Sequence, residues 1–163
     1  MICAFTGHRP ERLPWRTDET DPRCRALKLL LQKSVALAYD RGFHTFLCGM
    51  ARGCDQYFAE TVLALANAGR APQAELVALV PCPTQPDGWP TAERARYAAL
   101  LRACTRVEVL EPVYSSGCML RRNRQMVQRA QLLISVFDGG TGGTAATVRY
   151  AKALGVEVLP VWL

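Results

Sequence analysis

The sequence predicts an α/β fold with a mainly parallel sheet of five to six strands and helices on both of its faces. Short apolar runs alternate with helical patterns of about 12 to 20 residues from end to end, which is the signature of repeated strand–helix–strand units. Gly, Pro and Asp punctuate the junctions. With 163 residues, half of them hydrophobic, the chain has one domain's length, and residues 1–163 are read as a single domain. A chain of this size buries roughly 70% of its unfolded surface, enough for a real core.

The elements follow in order. Ile2 to Phe5 is a short apolar strand, and a polar loop runs from Thr6 to Asp21. Asp21 can cap a helix that starts at Pro22, where the missing N–H costs nothing. Leu27, Leu30, Leu31, Ser34, Val35 and Ala38 recur at helical spacing, and Gly42 ends the helix. Thr45 to Cys48 is the second strand, and the loop Gly49 to Cys54 leads into a helix from about Asp55 to Asn67. Leu76 to Val80 is the third strand, bounded by Pro81 and Pro83. The loop from Pro81 to Pro90, with Trp89, reads either as a mobile lid or interface element or as plain surface.

Thr91 to Ala103 is a helix, and Arg106 to Leu110 the fourth strand. A helix then starts at Ser115 or Ser116 and reaches about Ala130. Leu132 to Phe137 is the fifth strand, a last helix ends at Gly155, and Val156 to Val161 is the sixth strand. Pro160 cannot donate to a ladder, so that strand is expected at an edge or to stop early. Right-handed crossovers should join the strands.

Bulk properties exclude some classes. No apolar run approaches the ~20 residues that span a bilayer, so no membrane partner is expected. The chain enters a strand at once, without the pattern of a secretory leader. Seven scattered cysteines without a CxxC pair read as small packing residues in a reducing cytoplasm, not as metal ligands. The net charge of +6 suits either nucleic acid or a phosphate-bearing small molecule.

Ligands of open α/β sheets bind beyond the carboxyl ends of the strands, and four informative segments fall there. The most telling is Asp138-Gly139-Gly140-Thr141-Gly142-Gly143-Thr144, between the fifth strand and the last helix. A glycine-rich turn running into a helix N-terminus exposes N–H groups and about half a positive charge, which makes Gly139, Gly140, Gly142, Gly143 and Thr144 a candidate phosphate cradle. No lysine follows, so this is not an NTPase P-loop, and a dinucleotide GxGxxG would follow the first strand instead.

After the first strand, Gly7 permits a tight turn and Arg9 can grip phosphate with a planar fork. His8 is either an acid or base or a hydrogen-bonding loop residue. After the second strand, Gly49 and Gly53 let the backbone approach a ligand beside Arg52. Asp55 is either a plain N-cap or a carboxylate that receives a ribose or orders the loop. In the helix to Ala130, Asn123 lies on the stripe of Met119, Met126 and Val127 and must find a partner in backbone, side chain or ligand. Arg121 and Arg122 are either phosphate contacts or a solvated face. No catalytic residue and no cofactor can be assigned from these patterns.

Two of these segments carry a resemblance. Cys48-Gly49-Met50-Ala51-Arg52-Gly53-Cys54-Asp55 resembles the S-G-x-A-x-G-[IV]-D motif of DprA-type DNA-processing proteins, with Cys48 in place of the serine. Gly142-Gly143-Thr144-Ala145-Ala146 through Gly155-Val156-Glu157-Val158 resembles the T-A-x-x-A…G-x-x-V end of the same core. Thr6-Gly7-His8-Arg9, Arg122-Asn123 and the glycine loop are similar to small YpsA- and YoqJ-like bacterial proteins. All belong to the SLOG superfamily, which also holds the lonely-guy phosphoribohydrolases. The resemblance implies a Rossmann-like three-layer α/β/α fold, a nucleotide-related ligand of the ADP-ribose kind, and a homodimer.

The lonely-guy pattern P-G-G-x-G-T-x-x-E places its catalytic glutamate where this chain has Thr147. The leading expectation is therefore a sensor or carrier of a nucleotide-derived or other phosphorylated small ligand. One alternative is a nucleoside-monophosphate phosphoribohydrolase, with Glu60, Asp87, Glu93, Asp138 or His8 supplying acid/base chemistry. The other is DprA-like single-stranded DNA binding, for which stacking aromatics are sparse, with Tyr114 alone near the basic segment.

Overall fold

Every strand but the last is followed by a helix that carries the chain back to the end of the sheet where the strands begin, so all six strands run parallel. The computed structural model describes residues 1–163. Its elements are β1 (Ile2–Thr6), α1 (Pro22–Asp40), β2 (Thr45–Cys48), α2 (Cys54–Asn67), β3 (Glu75–Val80), α3 (Thr91–Ala103), β4 (Arg106–Val109), α4 (Cys118–Arg129), β5 (Leu132–Phe137), α5 (Gly143–Ala153) and β6 (Glu157–Trp162). The strand order is β4-β3-β2-β1-β5-β6. Ala4 at the centre pairs with Leu47 of β2 and Leu133 of β5. The Rossmann-like three-layer fold is thus the observed one.

Successive residues of a strand face opposite sides, and here both sides are covered. Cys3, Phe5, Phe46, Leu76 and Ile134 pack under α1, α2 and α3, against Leu31, Val35, Phe58 and Leu100. Phe5 stacks on Phe58 at 4.4 Å, and Phe46 meets Phe58 edge-on at 6.2 Å. On the other face Ala4, Leu47, Val77 and Leu133 meet Met126 and Val127 of α4 and Val148 and Ala151 of α5. Burial on both faces explains why the strands read as continuous apolar runs.

Local signals mostly act as expected. The Asp21 carboxylate accepts the Arg23 N–H at 2.8 Å and caps α1. Pro160 sits in β6, which is an edge strand. Leu30 departs from the expected stripe: it is exposed, because Leu27, Leu31, Val35 and Ala38 already fill the inward face. α4 begins at Cys118, not Ser115 or Ser116, because Gly117 takes a left-handed conformation at its N-cap. The loop before α3 is anchored and not a free lid. Gln85 donates to the Gly49 carbonyl at 3.1 Å and accepts from the Tyr97 hydroxyl at 3.1 Å.

All seven cysteines are unpaired, and six of them are buried. Burial pushes the Cys3 thiol up to about 12 and that of Cys104 to about 11, which leaves almost no thiolate at neutral pH. No helix is long and apolar enough to cross a membrane.

Candidate functional site

The sheet order reverses between β1 and β5, and a cavity of about 520 Å³ opens at their carboxyl ends. This is where a Rossmann-like sheet offers a ligand crevice, and the volume is that of a small-molecule site. The turn after β1, the start of α5 and the first half of α4 wall it. Of the residues singled out from the sequence, Gly7, His8, Arg9, Asp55, Arg122, Asn123, Gly142, Gly143 and Thr144 line this cavity.

The α5 terminus supplies donors. Gly142 is its N-cap, with φ 114° and ψ −164°, a conformation open to glycine alone. No side chain caps the helix, and the N–H groups of Gly143, Thr144 and Ala145 bond to no acceptor in the protein. The hydroxyls of Thr6 and Thr144 also lack protein partners, although both residues are more than nine-tenths buried (6% and 7% exposed) and line the cavity.

Gly139 and Gly140 do not share in this. They lie outside the cavity, and the Gly140 N–H is taken by the Asp138 carboxylate at 2.8 Å. That bond, with Arg12 beside it, holds the Asp138 carboxyl below the usual range. Arg12 straps the loop: its guanidinium bonds to the Thr141 carbonyl and to Asp138 at 3.0 Å. A Cβ on Gly140 would stand 2.7 Å from that guanidinium and one on Gly142 2.9 Å, so these glycines make room for Arg12. The candidate cradle is therefore the segment Gly142 to Ala145, with the loop before it fixed from inside.

Gly49 and Gly53 also serve the chain's own packing, not an approach to ligand. A Cβ on Gly49 would lie 2.5 Å from the Arg122 guanidinium carbon, and one on Gly53 2.8 Å from the His8 carbonyl oxygen. Asp55 is not the N-cap of α2; Gly53 is. The Asp55 carboxylate folds back to accept the Ala51 N–H at 3.0 Å and so orders the loop. Burial pushes its carboxyl up, against the opposing pull of Arg122 and of that N–H.

Arg122 is neither a surface phosphate contact nor part of a solvated face. It is 3% exposed and donates to the Gly49 and Leu79 carbonyls and, at 2.8 Å, to Asn123 Oδ1. Asn123 passes the chain on to the Thr147 hydroxyl at 3.2 Å, and Thr147 donates to the Gly143 carbonyl at 2.9 Å. The half-buried Asn123 amide thus finds its partners in the protein, and Thr147 has a structural use.

His8 is buried, and its Nε2 accepts the Asp138 N–H at 3.2 Å, so it pins β5's exit to the turn after β1. Burial lowers its pKa, against the pull of Asp138. The unfolded chain then binds the extra proton more readily. Stability from neutral His8 is present above the unfolded pKa of about 6.5 and is lost as pH falls from there towards the folded value. We expect melting temperature to drop on acidification from pH 7 to 5, and the drop to be smaller in His8→Gln. An identical acid limb in wild type and variant would contradict this.

Charge in the cavity comes mainly from Arg9, which faces no carboxylate within 4 Å. Arg52 lies outside the main cavity, between Glu11 and Glu93. Among the acid/base candidates, Glu60 is taken by Arg96 at 2.7 Å and Asp138 by Arg12, and Asp87 is exposed away from the cavity. Sequence reasoning did not single out Glu11 or Arg12, and it named Thr6 and Met119 only as members of a motif and of a helix stripe, not as site residues. Thr6 had a signal, since it closes a strand next to Gly7; Arg12 had none.

Comparison with known proteins fits this architecture. The profile of the YspA SLOG family matches residues 3–155. No curated protein matches the chain. Among solved structures, DNA processing protein A from Helicobacter pylori, studied for its single-stranded DNA binding mode, is similar in fold, with a TM-score of 0.63 at 16% identity. The match covers 98% of this chain, which spans 64% of the length of that structure.

Proposed function

The chain belongs to the YspA SLOG family, and on that premise we propose that it binds a nucleotide-derived or other phosphorylated small ligand at the carboxyl ends of its strands, as a cytoplasmic sensor or carrier. One observation carries this reading: the N–H groups of Gly143, Thr144 and Ala145 have no protein acceptor, at a helix start beside a cavity of about 520 Å³. Helix dipole and bare donors together favour an anion there. Arg9 adds an unpaired cation, and the free hydroxyls of Thr6 and Thr144 add further donors.

Thermal shift with ADP-ribose, AMP, NAD and cyclic nucleotides tests the proposal. A ligand at a hundred times its Kd should add about 2.7 kcal/mol. No stabilisation by any of these at millimolar concentration contradicts it.

Two other readings each have a specific observation behind them. Asp55 is a buried carboxyl on the cavity with a raised pKa, which favours acid/base work in a hydrolase. Release of free base from AMP, abolished by Asp55→Asn, would support that class. The DNA-processing fold favours single-stranded DNA. Against it, three of the four arginines between positions 121 and 129 are spent internally, with Arg121 on Glu111, Arg129 on Glu108 and Arg122 buried. DNA binding would show affinity falling with log salt at about −0.7 per phosphate contacted.

A further inference from the structure

A second, smaller chamber of about 160 Å³ adjoins the main cavity. The two share Arg9, Glu11, Ala51 and Met119 in their linings, so they lie side by side. The far wall is Trp89. Its indole is held in place, edge-on to Tyr97 at 5.3 Å and 83°, while Tyr97 is itself fixed through Gln85 to the Gly49 carbonyl. The polar groups at this wall are largely satisfied: Gln85 is bonded at both ends, and Arg52 sits between Glu11 and Glu93. What remains for a ligand is a fixed aromatic ring, the soft thioether of Met119 and the guanidinium of Arg9. A cavity of about 150 Å³ admits one benzene-sized ring.

We propose that the chamber between Trp89 and Met119 receives a flat heteroaromatic ring, so that the anion held at the α5 terminus belongs to a nucleotide and not to a sugar phosphate. The inference rests on the phosphate-binding reading above and adds to it the part of the ligand that confers selectivity. The base lies against Trp89, the sugar crosses the shared wall beside Arg9 and Asp55, and the phosphate meets Gly143 to Ala145. Trp89 is then a specificity-determining residue, set on a loop that Gln85 anchors.

Titration calorimetry with AMP, CMP and ribose 5-phosphate separates the two claims. Wild type should bind CMP, whose single ring matches the chamber, roughly tenfold or more tightly than ribose 5-phosphate, the usual worth of one base–aromatic stack, and AMP, whose fused base is larger, no more tightly than CMP. Trp89→Ala should erase that advantage and leave ribose 5-phosphate affinity unchanged, and Trp89→Phe should restore part of it. Should Trp89→Ala not fold, the fluorescence of a Trp15→Phe, Trp162→Leu protein, in which Trp89 is the one remaining tryptophan, gives the same answer, with quenching by CMP and none by ribose 5-phosphate. Equal binding of sugar phosphate and nucleotides by wild type, or a nucleotide advantage that survives Trp89→Ala, overturns the ring site alone. Binding of none of the three removes the phosphate reading and the ring site with it.

Discussion

Replacing Arg122 by alanine is expected to destabilise the fold by about 3–5 kcal/mol, as the removal of one member of a buried charged network does. Its guanidinium holds the Gly49 and Leu79 carbonyls, which end β2 and β3 side by side, and it fixes Asn123 against α5. It is also the strongest cationic influence on Asp55, whose carboxyl is buried. Truncation removes the guanidinium donors from the Gly49 and Leu79 carbonyls, leaving Gly49 with Gln85 alone among side chains, and leaves a void the size of the side chain. Arg122→Lys should recover little, since an ammonium cannot spread its donors over three acceptors as a planar fork does. Urea denaturation of the two variants measures this. A loss below about 1 kcal/mol would show that the site does not depend on this arginine.

Gly143→Asp is expected to leave stability unchanged or slightly raised while weakening phosphate-ligand binding by about a hundredfold. A Cβ at Gly143 meets no atom within 4 Å, and its φ is not in the left-handed region, so an aspartate side chain fits. A carboxylate in the first turn of α5 interacts well with the helix dipole, worth about 0.3–1 kcal/mol. It also occupies the donors and repels any incoming phosphate. Gly142 offers no such test, because its φ of 114° makes any side chain strained there. The opposite signs for folding and binding separate a ligand site from a structural turn. Calorimetry and thermal melting of one protein give both numbers.

Much of this was legible in the residues. The alternation of apolar runs with helical spacing gives the strands and helices, and Pro160 marks β6 as an edge. The glycine run after β5 falls at the switch of strand order, where the cavity lies. What could not be read is how long side chains close onto a distant loop. Arg12 reaches the Thr141 carbonyl across 129 positions of chain, and no local pattern announces that. Arg122 is different. It lies three residues after Met119 and four before Met126, so the same stripe that marks Asn123 also passes through Arg122. Its charge and its arginine neighbours hid it. Gly49 and Gly53 show the same limit. Two glycines in a loop signal close approach, but only the fold tells that the approaching group is the protein's own Arg122 and His8 carbonyl.

The most direct measurement is a titration of ¹⁵N-labelled protein with AMP, followed at the amides of Gly142, Gly143, Thr144 and Ala145. Saturable shifts centred on these four, repeated by inorganic phosphate at higher concentration and absent in Gly143→Asp, are the expected result. Amides that stay still at millimolar AMP, ADP-ribose and phosphate, or shifts confined to other surfaces, would contradict an anion site at the start of α5.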